Sequence, residues 1–228
     1  MERRRVAKEM DLNAGLADEE RAFLNQHSHH KKYPKNSLIH SPGDKIKVVG
    51  YVVSGRVKVY NLAACGKEII YRFCPPHSFF GIAEIFGGEE RAVFVEAVED
   101  TEVLCIDKRH FEELLRRNPE LALVVVTILG SRIRQAHQAI KDFVAADVRS
   151  RLAQLLIKLA QMGGSPDPQG VVTIPDKFTH QEMANMIGAI RQTVTEIIND
   201  FKRRGYIRYE AGKIAILDRQ GLADLLTA

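Results

Sequence analysis

Arg191, Gln192, Thr195 and Asn199 are the side chains of this 228-residue chain best placed to do chemistry. All four hydrogen-bond base edges or phosphates. Arginine can grip guanine O6 and N7 with two bonds, and glutamine suits adenine N6 and N7. They share one helical face, and Ile190, Val194, Ile197, Ile198 and Phe201 fall at the spacing of a buried opposite face. Upstream, Thr179 and Glu182 have the spacing of a capping box, in which hydroxyl and carboxylate each satisfy a backbone N–H left unpaired at a helix start. Met183, Ala184 and Ile187 make one apolar face for that helix. Gly188 supplies the residue that tolerates a positive φ at the turn. The stretch from Phe178 to Ile207 therefore reads as a helix-turn-helix whose second helix is a recognition helix. Lys202, Arg203 and Arg204 close that helix, although a basic run there also suits the helix dipole with no partner at all.

Other chemistries have little support. Cys65, Cys74 and Cys105 are odd in number and form no CxxC pair, so disulfides, a zinc ribbon and an iron–sulfur cluster are not expected. No P-loop, G-x-S-x-G, H-E-x-x-H or dinucleotide fingerprint is present, and no enzyme is expected. A catalytic pocket lined by Glu84, Arg91 and His137 is a rival that nothing in their spacing requires. The run His27, His29, His30, Lys31 and Lys32 reads as a solvated polar linker, with a metal or haem site the lesser alternative. A net charge of +4 permits a nucleic-acid partner without demanding one, so the DNA site must be local. The longest apolar run, Leu121 to Leu129, is too short to span a bilayer, and the basic N-terminus has no apolar stretch behind it. The expectation is a cytoplasmic protein with no membrane partner.

The elements that must carry these residues differ along the chain. A charged start and a short helix over Ala17 to Asn25 fill residues 1–32. From Tyr33 the pattern turns to period two with Gly/Pro breaks, the mark of a β-sandwich or roll. Val48 to Val53 and Val57 to Tyr60, joined by Ser54-Gly55, read as a hairpin. Strands also fit Glu68 to Phe73, Phe79 to Ile82, Arg91 to Val98 and Glu102 to Ile106. A short helix around Phe111, Leu114 and Leu115 follows, and Pro119 suits the start of a longer one. Ala122, Val126, Leu129, Ile133, Ala136, Ile140 and Phe143 are spaced four, three, four, three, four, three, an a/d seam for a parallel homodimer. Arg132, Arg134, Gln135, Gln138, Lys141 and Asp142 read as its exposed polar faces. Asp147 to Met162 is amphipathic. A strand at Val171 to Ile174 precedes the helix-turn-helix, and a hairpin wing over Tyr206 to Leu217 follows it. The division expected is an N-terminal segment 1–32, a β domain 33–118, a dimerisation helix 119–145 and a winged-helix domain 146–228, in an α+β fold.

Together the motifs PGD at Pro42 to Asp44, YVVSGRVKVY at Tyr51 to Tyr60 and FFGIAEIFGG at Phe79 to Gly88 resemble the Crp–Fnr superfamily of bacterial transcription regulators. The run from Asp147 and the helix-turn-helix extend the resemblance over nearly the whole chain. It implies a cyclic-nucleotide-binding-type β-roll, a dimerising helix, and a winged helix that binds double-stranded DNA at a palindromic operator. Arg191, Gln192 and Glu196 match base-reading positions, with Thr195 beside them. Thr179, His180, Gln181 and Thr193 match positions that usually contact phosphate. Glu196 stands where relatives usually carry Arg; it either accepts from cytosine N4 or orients Arg191 or Gln192. The resemblance also implies an effector pocket at Gly81, Ile82, Arg91, Ala92, Ala136 and His137. Regulators that bind cyclic AMP carry Glu where this chain has Ile82, a hydroxyl residue at Ala92, and two hydroxyl residues at Ala136 and His137. Lost hydrogen bonds leave ligand groups buried and unpaired, so cyclic AMP is not the expected effector. Arg91 is either an anion contact or a surface ion pair. Haem stays open as a cofactor through Cys74, His77 and His137, although haem-sensing relatives place ligands where this chain has Gly81 and Ala83. RNA polymerase is a further partner if the protein activates transcription.

Overall fold

The computed structural model describes residues 18–163 and 166–226. Expectations placed on residues 1–17 and on 164 and 165, the charged start and part of the polar loop, lie outside the described residues. The chain divides into two compact units, 1–134 and 135–228, and the division falls within one long helix.

In the first unit, α1 (Asp18–His27) leads into β1 (Ser28–Tyr33), β2 (Leu38–His40), β3 (Val48–Ser54), β4 (Val57–Leu62), β5 (Glu68–Cys74) and β6 (Phe79–Phe80). After the short α2 (Ile82–Ile85) come β7 (Phe94–Ala97), β8 (Thr101–Asp107), α3 (Lys108–Arg117) and the start of α4 (Pro119–Ala145). The strands form two antiparallel sheets, ordered β1-β8-β3-β6 and β2-β7-β4-β5. Val52, Val57, Val59, Cys74, Phe80, Val95, Val103 and Cys105 cluster between the sheets. Their alternates on β3 and β8, Val49, Tyr51, Leu104 and Ile106, pack instead with Leu24, Phe111, Leu114, Leu121 and Val125 of the helices. This is the expected roll, with helices covering one face.

Three expectations need correction. β3 and β4 are not a hairpin: β3 pairs with β6 and β8, and β4 with β5 and β7. Gly55, at φ +77, carries the chain from one sheet to the other so tightly that a Cβ would lie 2.4 Å from Asp100 O. The histidine–lysine run is not a linker. Ser28–Tyr33 pairs with Ile106 to Thr101 as an edge strand, and its outward lysines keep that edge soluble. Backbone pairing with β8 is joined by His30 Nδ1 at 2.7 Å from Glu102 Oε1 and by Tyr33 against the roll's core, partnerships of which its polar composition gave no sign. The extended run ends at Phe80, because Gly81 at φ +76 turns the chain into α2.

In the second unit, α5 (Val148–Gly163) precedes β9 (Val172–Thr173), α6 (His180–Ile187) and α7 (Arg191–Arg203). β10 (Ile207–Glu210), β11 (Lys213–Ile216) and α8 (Arg219–Asp224) complete it. The three strands form one sheet, β10-β11-β9. Ala211 and Gly212, both at positive φ, make the two-residue wing turn. Leu152, Leu156, Phe178, Met183, Val194, Ile198, Phe201, Ile214 and Leu222 are buried. Ile190, expected in that core, is 62% exposed: it is the extended N-cap of α7, one residue before helical periodicity begins.

Along α4 the seam residues part ways. Val126, Ile133 and Ile140 are each more than half exposed, and Ala136 is exposed with them. Leu129 turns onto the first unit's core. Phe143 lies against Gly188 and under the Arg151 guanidinium, 4.9 Å from its ring. No helix among the described residues is long and apolar enough to cross a membrane.

Candidate DNA-binding and effector sites

The helix-turn-helix is built from local bonds. Thr179 Oγ1 accepts from the Glu182 N–H at 3.1 Å, and the Glu182 carboxylate accepts from the Thr179 N–H at 2.7 Å. This capping box fixes where α6 starts, and is worth about 1 kcal/mol. Gly188, at φ +66, ends α6; a Cβ there would meet Phe143 Cζ at 2.2 Å. α7 then buries Val194, Ile197, Ile198 and Phe201, leaving Arg191, Gln192, Glu196 and Asn199 exposed on its other face. Asp200 receives Arg203 at 3.0 Å and Arg204 at 2.9 Å, and is also paired with Arg149 of α5. Much of the basic triplet therefore braces α7.

Two residues given outward roles by their positions are bonded to each other instead. His180 Nδ1 lies 2.8 Å from Thr195 Oγ1, and that hydroxyl donates to Arg191 O at 2.9 Å. His180 Nε2 is buried with no partner among the described residues, and its ring lies 4.8 Å from that of Tyr209. Burial, then the charges of Arg191 and Lys202, hold its pKa below the ordinary histidine value. A neutral His180 thus braces the motif. Gln192 Nε2 donates to Glu196 Oε1 at 3.3 Å. Gln181 is exposed and donates to Asn185 Oδ1 at 2.8 Å, and Thr193 is half-buried.

A cleft of about 630 Å³ opens between the start of α6, α7 and the wing, lined by Lys177, Thr179, Gln181, Arg191, Tyr209 and Gly212 among others. Two cations and the N–H groups of a helix start suit it to a phosphate. Lys177 and Tyr209 were not foreseen. The signal for Lys177, a cation directly ahead of the capping box, was visible.

The β-roll site differs from its expectation. Arg91 is no surface ion pair: its side chain is 3% exposed, and Nη1 lies 2.8 Å from Glu84 Oε2. It also donates to Gly81 O at 3.3 Å and to Val48 O, while Glu84 Oε1 accepts the Ala92 N–H at 2.8 Å. Its charge is thus already met from within the chain. Ile82 is fully buried in the core with Phe79 and Phe111. Ala136 and His137 are exposed residues of α4 in the second unit.

Comparison with known proteins fixes the relationship. The cyclic nucleotide-binding domain family matches residues 30–118, and the Crp-like helix-turn-helix domain family matches residues 150–225. A global nitrogen regulator of Nostoc sp. is 32% identical over 186 residues, 81% of this chain and 83% of that protein. The chain belongs to the Crp–Fnr family. The cAMP-activated global transcriptional regulator CRP of Haemophilus influenzae is 31% identical, covering 83% of this chain and 84% of that one. A CooA mutant from Carboxydothermus hydrogenoformans superimposes with a TM-score of 0.82 at 28% identity, over 96% of this chain and 98% of that one. Like its Crp–Fnr relatives, the protein is a DNA-binding transcription regulator.

Within this Crp–Fnr chain the haem candidates are divided between the two units. Cys74 is buried in the apolar cluster between the sheets. His77, at φ +65, has its Nδ1 2.9 Å from the Tyr51 hydroxyl. His137 is exposed in the other unit. No cluster of three or more His, Cys, Asp or Glu side chains fit to hold a metal occurs among the described residues. Cys74 and His77 thus have contacts of their own within the first unit.

Proposed function

We propose that the protein is a homodimer that reads a palindromic operator through Arg191 and Gln192, under the control of an effector other than a cyclic nucleotide. The observation that carries the DNA reading is the pairing of those two exposed side chains with the cationic cleft at the foot of α6. Glu196 holds Gln192 in register, while Thr179, Gln181 and Lys177 take phosphates. Dimerisation rests on the exposed stripe Val126, Ile133, Ala136 and Ile140, which continues over both parts of α4. Two-fold symmetry sets half-sites about 34 Å apart. The domain division of the first subsection stands with this reading, its β-roll extended back to include β1. RNA polymerase is a partner if the protein activates, and the work is done in the cytoplasm.

One named relative is cAMP-activated, yet here the Glu84 carboxylate already takes both donors that a cyclic phosphate would need, Arg91 Nη1 and the Ala92 N–H. A ligand would have to displace it and bury its own unpaired hydroxyls, so cyclic nucleotides are poor effectors here. Selection of bound duplexes from a random DNA pool tests the function. The expected winner is a palindrome, and Arg191→Ala with Gln192→Ala should remove the preference. Recovery of no sequence preference by the native dimer, with and without cell extract, would sink the reading.

A further inference from the structure

The imidazole of His180 is held in one protonation state by its neighbours. The Thr195 hydroxyl has a single hydrogen and donates it to Arg191 O at 2.9 Å. Toward His180 Nδ1, 2.8 Å away, it can therefore only accept, so Nδ1 carries the hydrogen of the neutral ring. That leaves Nε2 as a bare lone pair, closed off from water and met by no donor among the described residues. The ring nevertheless lines the cleft at the foot of α6, beside Lys177, Gln181 and Arg191. Burial first, then Arg191 and Lys202 of α7, hold a second proton off it, and no carboxylate is among the causes. Tyr209 of β10 presents its ring at 4.8 Å, because its hydroxyl donates to Phe178 O at 3.0 Å. Glu182, in the first turn of α6, already accepts from the Thr179 N–H at 2.7 Å and the Thr179 hydroxyl at 2.9 Å. In the free protein, a proton on Nε2 has no anion to meet.

We infer that His180 couples DNA binding to proton uptake: a DNA phosphate seated in the cleft supplies the missing anion, and the ring of each subunit then takes one proton from solvent onto Nε2. This rests on the phosphate role given to the cleft in the proposed function. It adds a cation to the clamp that exists only in the complex. The charges of Arg191 and Lys202, which repel the proton in the free protein, are offset by the phosphate once it binds. Imidazole is the side chain whose charge changes most readily near neutral pH, and its charged N–H is a strong donor to phosphate. The sign follows from linkage. A group that holds its proton more tightly in the complex makes binding tighter as pH falls between its two pKa values. Outside that window the effect is level. The regulator therefore engages DNA more tightly in mild acid, whatever its effector.

The test is calorimetry of the full-length protein with a mixed-sequence duplex at low ionic strength, since phosphate contacts need no base recognition. Titrations in buffers of different ionisation enthalpy count the protons taken up. Uptake should approach about one proton per subunit, and affinity should be about tenfold or more greater near pH 6 than near pH 8. His180→Gln should lose the uptake and bind equally at the two pH values. If that variant fails to fold, ring resonances of the parent decide the matter. The histidine in contact with the Tyr209 ring should titrate at higher pH with duplex than without it. Binding without proton uptake, binding that weakens as pH falls, or uptake that survives His180→Gln overturns the inference and leaves the DNA reading intact. Failure to bind the duplex at either pH overturns both.

Discussion

Arg91 Nη1 lies 2.8 Å from Glu84 Oε2, with the arginine side chain almost wholly withdrawn from water. The same carboxylate accepts the Ala92 N–H, so an internal anion is gripped by an arginine and the backbone amide that follows it. Removing one partner of a buried pair leaves the other charged and unmatched. Glu84→Gln should therefore lower stability by about 3 kcal/mol in urea unfolding, whereas Glu84→Leu with Arg91→Met should cost far less than the sum of the single changes. Additive losses would mean that the two side chains are not coupled.

His40 sets a pH dependence. Its Nδ1 lies 3.2 Å from Val93 O, and its pKa is pushed down to about 4, first by burial and then by Arg91, with Glu84, Val93 and Asp44 opposing. A folded pKa below the unfolded one means that this contribution is whole above the unfolded value. It is lost as pH falls toward the folded value. From this group alone the fold should be about 2 kcal/mol less stable near pH 5 than near pH 7. His40→Gln should flatten that part of the profile, and an unchanged slope would assign it to other groups.

Gly188 is required twice over. Its φ of +66 disfavours any side chain, and a Cβ would sit 2.2 Å from Phe143 Cζ. Gly188→Ala should cost about 2 kcal/mol or more and weaken operator binding, because the turn sets the angle of α7. Adding Phe143→Ala should recover the part due to the clash but not the part due to φ. A double variant no better than Gly188→Ala would show that backbone strain is the whole cost.

His180 and Thr195 test which side chains of the motif face inward. Thr195→Val leaves His180 Nδ1 without its 2.8 Å partner and should cost about 1 kcal/mol of stability, with base preference kept. Arg191→Ala should do the reverse. It should cost about 1–3 kcal/mol of operator affinity and relax the preference at one base pair, with melting unchanged. Competition binding against single-base operator variants separates the two outcomes.

The helix-turn-helix was legible in the sequence because its determinants are contiguous. The capping box of Thr179 and Glu182, the positive-φ Gly188 and the apolar spacing of Val194, Ile197, Ile198 and Phe201 each act within a few residues. The roll and the apolar stripe of α4 were legible for the same reason, since period and spacing are local quantities. What only the tertiary structure decided lies in pairings that no local period encodes. Strands β3 and β4 part into different sheets, because a strand's partner is set by the inward faces of distant strands. His180 turns toward Thr195 because the ring of Tyr209 lies alongside it. Sequence left Arg91 as an anion contact or a surface ion pair and put Arg132 on an exposed polar face. Burial gave Arg91 an internal carboxylate and drew Arg132 onto the Phe79 carbonyl, because charge is written in composition but its desolvation and its partners arise only when the elements pack.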